Sequence, residues 1–446
     1  MRDLTKGNPR SVILSFALPV MIGYMLQLCY SMADTRIVST FLGEDALSAV
    51  GATTALSGLI IGFLNGLTNG FAVIVARYFG AKEENNLKKS VAASLSAGLI
   101  ISAGLTAVSL FGLTKILQLL NVPEEVFSVA YRYIFIIIAG MTMSMLYNIC
   151  AAFLRALGDT LMPTVFLFVS VVLNIFGDIF CIKVLGMGVE GAAAATVVAQ
   201  SIAFAACFCY MLKRYSILRI KKTDFNFSGR MMSLILKSGL SMGFMSCLVS
   251  IGTVSLQSGI NGLGTVYIVA QTAARKLTEV YMMMFAVLGQ TMAIYCSQNY
   301  GAGAFDRVRT GLKQALLIGA VWCTAVVICV YTTGPLLINL VCGDISKESV
   351  DAAVNYLKFD TALYIVPLVI CVLRNALQGL GDHVTPIVSS SIECVGKILI
   401  VLFLVPGLGY TGVILAEPIV WCVMVVPLIV MIIKKLKLNV SPRQKS

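Results

Sequence analysis

The sequence predicts an all-α polytopic membrane protein of twelve transmembrane helices, arranged as two parallel six-helix repeats. Three observations carry that prediction. Of 446 residues, 58% are hydrophobic and only 12% are charged, half the charged share of an ordinary soluble chain, and the mean hydropathy is +0.91. Apolar runs of roughly 20 residues, the length that crosses a bilayer, recur from end to end. Three landmarks of the first half also return in the second, in the same order and at a nearly constant offset.

The elements follow in order. The first apolar run, about 12–33, comes after a basic start and superficially resembles a signal peptide. It is too long and lacks a clean small-residue cleavage site, so it reads as the first span. Runs at 46–76, 91–114, 127–150, 162–182 and 188–212 complete the first half. Those at 232–258, 266–297, 312–334, 353–376, 385–405 and 410–433 make the second. Charged or Gly/Pro-rich breaks separate them, among them "ARYFGAKEENNLKKS" and "SQNYGAGAFDRVRT".

Lys and Arg orient the count, because cytoplasmic loops are enriched in them. Arg2, Lys6 and Arg10, then Arg77, Lys82, Lys88 and Lys89, fall on one side of a twelve-span chain. So do the seven basic residues of 213–237, then Arg307, Arg309 and Lys313, and the tail residues Lys434, Lys435, Lys437, Arg443 and Lys445. The other side holds only a scatter such as Arg36, Lys115, Lys183 and Lys347. Both termini are therefore expected in the cytoplasm, with the chain in the plasma membrane. The net charge of +12 follows from this asymmetry, and no nucleic-acid partner is needed to explain it. The 13 cysteines show no CxxC spacing and His383 is the only histidine. Neither a metal site nor a disulfide framework is expected.

The landmarks define the repeat. Leu157-Gly158-Asp159 matches Leu380-Gly381-Asp382, and Pro163 matches Pro386, 223 residues apart in each case. Gly80-Ala81 matches Gly301-Ala302, and Gly191 in "LGMGVEGAAAA" faces Gly412 in "PGLGYTGVILA". An ordered series of this kind indicates duplication. Six helices per half make both halves start on the same side, the parallel arrangement of secondary transporters that rock two bundles about a cavity. The expected units are 1–212 and 238–446, joined by the basic segment 213–237, which reads equally as a membrane-surface segment or a solvated loop. In the LGDxxxP loops Gly turns the chain, Asp caps and Pro opens the next helix; that structural reading of Asp159 and Asp382 is preferred to a gating one.

These residues, with "MADTRIVSTFLGEDALSAVG" at 32–51 and the YFGA/NYGA pair, resemble the multidrug and toxic compound extrusion (MATE) family over essentially the whole chain from Pro19 onward. The resemblance implies a V-shaped molecule of two lobes with alternating access. It also implies export of organic cations or other amphiphiles against an inward flow of protons or sodium. The DinF-like branch carries an acid in the first helix and Asn-x-x-x-Asp in the fifth, positions matched by Asp34, Asn174 and Asp178. Tyr133 and Thr196 resemble family residues of the fourth and sixth helices, and Pro19 the proline at which the first helix bends.

The residues support a site independently. Gln27, Tyr30 and Asp34 fall on one stripe of a helix, and Asn174 and Asp178 on one face of another. Polar groups inside hydrocarbon turn inward and find partners. If the stripes meet, two carboxylates share a cavity with amide, phenol and hydroxyl groups, so that the pair holds a proton near neutral pH and titrates as a unit. Asn148 and Gln27 are candidate hydrogen-bonders to substrate. Against this stand an Asp34 at the outer edge that merely caps or pairs with Arg36, an Asp178 with a structural hydrogen bond, and a Tyr133 that only packs. Oxygen donors of this kind would also suit sodium.

The second half has charges of its own. Arg275, Lys276 and Glu279 lie in the eighth helix, and Glu393 and Lys397 in the eleventh, where Lys397 takes the place of Asn174 and Val401 that of Asp178. Their i, i+4 spacings read as ion pairs; the sharper expectation is a cavity for an anionic or zwitterionic part of a substrate. The "YMMMF" cluster at 281–285 reads as packing, or else as a pliable binding surface.

No GxxxxGK[ST] motif is present, so ATP hydrolysis is not expected. The reading is a monomeric, ion-driven exporter with no enzymatic activity and no cofactor beyond the coupling ion, H+ or alternatively Na+. A lipid-linked sugar flippase of the same superfamily is the competing reading, and a receptor or scaffold without transport a third.

Overall fold

The computed structural model describes residues 3–343 and 346–438, and every regular element among them is a helix. The first is α1 (Pro9–Gly80), 72 residues long. At 1.5 Å per residue that is about 100 Å, three times the roughly 30 Å of a hydrocarbon core. It is two spans joined at Gly43, whose φ of 84° and ψ of −172° no helix allows. Then come α2 (Glu84–Leu119), α3 (Glu124–Ala156), α4 (Leu161–Ile179), a π-helical turn (Phe180–Val184) and α5 (Val189–Arg214). After two 3₁₀ turns, Ser216–Leu218 and Lys222–Phe225, the chain forms α6 (Gly229–Asn261), α7 (Thr265–Gly301), α8 (Phe305–Cys342), α9 (Lys347–Ala362) and α10 (Ile365–Gly379). The last are α11 (Thr385–Phe403), the short α12 (Val405–Leu408) and α13 (Tyr410–Leu438).

The expected twelve spans are all here. Ten helices among the described residues are long and apolar enough to cross a membrane; α9 and α10, bent by 54°, together make an eleventh. Dividing α1 at Gly43 gives the twelfth. Side chains sort as a bilayer requires. Large apolar residues such as Phe111, Phe176, Leu340 and Phe403 point outward, while Ser90, Ser94, Asn174 and Asp178 are buried. Of the charges used for orientation, Arg2, Arg443 and Lys445 lie outside the described residues.

The helices group into two compact units, one of Asp3 with Leu18–Gly243 and the other of Leu4–Ala17 with the chain from Phe244 onward. The start of α1 belongs to the second unit for a visible reason. The Arg307 guanidinium donates to the carbonyls of Gly7 (2.8 Å), Leu4 (3.1 Å) and Lys6 (3.2 Å), and to Asn299 Oδ1 (3.1 Å). Pro19 sits just past the point where the chain passes into the first unit.

The duplicated loops adopt one turn twice. Gly158 and Gly381 have φ of +84° and +81°, a conformation that costs a side chain about 1 kcal/mol or more. Each following Asp caps the next helix: Asp159 Oδ1 accepts from the Met162 N–H, and Asp382 Oδ1 from those of Val384 and Thr385. Asp159 also takes on a task its counterpart lacks. Its second oxygen accepts from Tyr215 (2.7 Å) and Tyr210 (3.2 Å), which ties the start of the 215–228 connection to this loop. Both 3₁₀ turns of that connection pack against α2, and Asp224 bonds back to the Lys221 N–H. The connection is thus an ordered part of the first unit, not a solvated loop.

Candidate functional site

In the first unit α1, α3 and α5 enclose a cavity of about 310 Å³ lined by Tyr30, Asp34, Tyr133, Asn148 and Thr196 among others. Helix α4 packs on α5 and brings its own acid to this group. Its sequence explains why that acid points inward. Ser170, Asn174 and Asp178, four residues apart, form one buried stripe, while Phe168, Phe176 and Phe180 point outward. That separation lets one helix face lipid with its aromatics and the site with its polar groups.

The side chains form a directed chain of hydrogen bonds. Asn174 presents its amide nitrogen to Asp178 (3.0 Å), and its oxygen accepts from the Thr196 hydroxyl (3.0 Å) and backbone N–H (3.2 Å). Thr196 Oγ1 in turn lies 3.2 Å from the Tyr30 hydroxyl. At the far end the Asp34 and Asp178 carboxyl groups are close neighbours. Asp34 Oδ1 is buried with no donor of its own, and Arg36 on the same helix is exposed and forms no salt bridge with it. The edge-pairing alternative for Asp34 therefore does not hold here.

Other expected residues take supporting places. Tyr133 lines the cavity without bonding either acid, and packs with Ile175 and Ile179 on a cluster of Ile37, Val38, Ile182, Val189 and Ala192. Ile37, Val38, Ile182 and Ala192 of this cluster lie one helical turn from Asp34, Asp178 and Thr196, so apolar packing borders the site beyond the acids. Gln27 and Asn148 line a smaller polar cavity of about 100 Å³ that shares Tyr30, Asn148 and Thr196 with the larger one. Ser144 and Gln200, hydrogen-bonded to each other, line both; a polar-stripe reading of α3 and α5 would have found them. Pro19 is gripped from α4, where Thr164 Oγ1 donates to its carbonyl at 2.9 Å.

The second unit has a different interior. A cavity of about 420 Å³ is lined by Arg275, Glu279, Arg374, Glu393, Lys397 and Glu417, with Met282 and Trp421. Lys397 donates to Glu393 (3.2 Å) and lies 3.3 Å from Glu417; Arg374 reaches Glu393 (3.3 Å) and Ser390 (3.2 Å); Glu417 accepts from Tyr356 (3.1 Å). The expected Glu393–Lys397 pair is thus present, within a larger network. Arg275 and Glu279 form no ion pair with each other, and Lys276 is exposed and does not line the cavity. Val401, at the place of Asp178, packs on Gly259 of α6. Arg374 and Glu417 are absent from the sequence reading, although each is a charge within an apolar run and the rule that singles out Asp178 applies to both.

The MatE family model matches residues 19–180 and 241–403. A probable multidrug resistance protein of Bacillus subtilis, YoeA, is 29% identical over 335 residues, 73% of this chain and 70% of its own. The multidrug export protein MepA of Staphylococcus saprophyticus is 23% identical over 95% of this chain and 93% of its own. Among solved structures, an outward-facing multidrug resistance MATE transporter superimposes with a TM-score of 0.90 at 22% identity. A MATE structure in a bent conformation does so with 0.90 at 23%, and both cover 98% of either chain.

Proposed function

Since this chain belongs to the MATE family of membrane transporters, whose model matches both of its halves, we propose that it is a proton-coupled antiporter that exports organic cations, drugs or other amphiphiles by alternating access. The observation that carries the reading is the juxtaposition of the Asp34 and Asp178 carboxyl groups, a pair placed to hold one transferable proton beside a cavity bordered on one side by apolar packing. Loss of that proton leaves two facing carboxylates in a low-dielectric site, where they repel strongly. A cationic substrate relieves that repulsion, and a proton displaces the cation. Gain and loss of the two ligands are thereby mutually exclusive, which is the requirement of antiport. The relay Tyr30–Thr196–Asn174–Asp178 transmits the change along the cavity, and Pro19 is the place where α1 bends in response.

The names of MepA and YoeA support drug export. The paired acids with Asn174 support the DinF-like branch, and the one-sided Lys and Arg support cytoplasmic termini in a plasma-membrane protein acting as a monomer. The lobes 1–212 and 238–446, with 213–237 between them, are the two halves of the transport cycle. Sodium coupling is the competing reading, because carboxylate and hydroxyl oxygens suit a hard cation. The flippase reading rests on Arg275, Lys276 and Lys397; Lys397 is paired with Glu393 and Glu417, Lys276 does not line the cavity, and Arg275 keeps its charge there.

The test is drug efflux from proteoliposomes under separate proton and sodium gradients. A proton gradient alone is expected to drive export, and Asp178→Asn and Asp34→Asn to abolish coupling. Full coupled transport by Asp178→Asn overturns the site; efflux driven by sodium at constant pH replaces the proton.

A further inference from the structure

We infer that the cavity of the second unit is a binding site for a small zwitterionic amphiphile, one with an apolar body that carries both an ammonium and a carboxylate group. The inference rests on the exporter reading for its biological sense but on the cavity alone for its chemistry.

Six charges line this cavity, and four of them are already spent on one another. Lys397 lies between Glu393 and Glu417, Arg374 binds Glu393 and Ser390, and Tyr356 closes the chain on Glu417. Two cations and two anions, nearly all deeply buried, thus pair off within the wall, and the fully buried acid Asp360 lies behind them close to Glu417, Lys397 and Arg275. Such a paired network holds its shape, and its members are engaged with one another instead of with a ligand. The two remaining charges are Arg275 and Glu279, and neither side chain has a hydrogen-bond or ion-pair partner among the described residues. They stand one turn apart on α7, which puts their Cβ atoms about 6 Å apart on one face. Their neighbours Ala274, which is buried, and Lys276, which points away, add no charge to the wall, so recognition depends on these two positions.

A free guanidinium recognises a carboxylate in a two-pronged geometry, and a free carboxylate recognises an ammonium. One ligand that satisfies both must carry the two groups a few atoms apart. Arg374 adds a further donor: it is 8% exposed, and its Nε is buried without a partner. The rest of the wall is apolar and adaptable, with Met282, Met424 and Trp421 facing the same space. About 420 Å³ suits one aromatic or alkyl body of modest size. In the first unit's cavity, by contrast, Asp34 is the one charged lining residue, so that site selects for positive charge alone.

The chain offers its own reporter. Its two tryptophans are Trp322 and Trp421, so Trp322→Phe leaves a single fluorophore in the cavity wall. The full-length Trp322→Phe protein in lipid nanodiscs is titrated with three probes that share one phenylalkyl body: 2-amino-4-phenylbutanoate, 3-phenylpropylamine and 4-phenylbutanoate. The zwitterion is expected to change Trp421 emission with a Kd about tenfold below either singly charged probe, the value of one charge-assisted bond. Arg275→Gln is expected to bring the zwitterion down to the affinity of the amine, and Arg275→Lys to recover part of the loss. Glu279→Gln, at an exposed position that folding does not depend on, is expected to bring it down to that of the carboxylate.

Equal affinity for zwitterion and amine overturns the inference, as does an Arg275→Gln protein that binds the zwitterion unchanged. Tightest binding of 4-phenylbutanoate also overturns it and makes the cavity an anion site, as a sugar-phosphate carrier would need. No emission change with any probe has the same consequence. Because binding is read without a gradient, a protein that fails to export drugs disproves the exporter reading and leaves this result intact.

Discussion

Asp34 and Asp178 bring two carboxyl groups side by side, and on the proposed proton coupling each should be individually indispensable. Removing the Thr196 hydroxyl is a milder change, because it unlinks Tyr30 and Asn174 but leaves the acids facing each other. Thr196→Val is expected to keep the fold and slow proton-driven efflux about tenfold, the worth of one hydrogen bond to a charged network; a full-rate variant would show that the relay is not used. Lys397 carries the opposite expectation. It lies between Glu393 and Glu417, so Lys397→Met leaves Glu417 without a cation and Glu393 with Arg374 alone, and should cost about 3–5 kcal/mol. Thermal unfolding in detergent measures this, and Glu417→Gln in the same chain, which leaves the Arg374–Glu393 pair intact, should restore most of the loss. Asp34 and Asp178 are legible as sequence because an acid in an apolar run demands a partner. The fates of Arg275 and Lys276 are not: adjacent residues on a helix point about 100° apart, and only packing decides which of them meets a cavity.

Connections between elements carry the next expectations. Asp159 and Asp382 cap the same turn in the two repeats, but Asp159 alone also holds the two tyrosines that anchor the connection between α5 and α6. Burial and the adjacent Asp159 carboxylate both push the Tyr215 phenol above its ordinary value. A group whose folded-state pKa is raised stabilises the fold below its unfolded value, about 10 for tyrosine, and loses that contribution as pH climbs beyond it. Protease cleavage within 215–228 should therefore be resisted at neutral pH and accelerate above about pH 10. Tyr215→Phe should accelerate it at neutral pH and flatten the alkaline step. The break at Gly43 is likewise a property of its element, since no helix tolerates that backbone angle pair. Composition marks the FLGED segment as a boundary between spans; the ordered path of the 215–228 connection depends on tyrosine–aspartate bonds with no sequence period.

At the scale of the whole molecule, the start of α1 is tied to the second unit by Arg307 while the rest of that helix belongs to the first. Arg307→Ala removes four hydrogen bonds, three of them to backbone carbonyls, and is expected to cost about 1–2 kcal/mol after discounting for solvent. It should also expose residues 4–8 to aminopeptidase digestion in the intact protein. If digestion is unchanged, packing of Leu4, Ile13 and Phe16, with the bonds of Leu4 to Gln298 and Asn299, holds the segment.

Composition, charge distribution and repeated loops by themselves determined the membrane environment, the twelve spans and the internal duplication, because each follows from what a bilayer and a polar backbone permit. They also pointed to Asp178 and Asn174, since a buried acid and an amide one turn away are readable from spacing. Only the tertiary structure decided which helices bring partners to that acid, and that the second repeat replaced it with a wall of ion pairs and two unspent charges. Those outcomes depend on which faces of separate helices meet, and contacts between residues distant in sequence leave no period for a single chain to display.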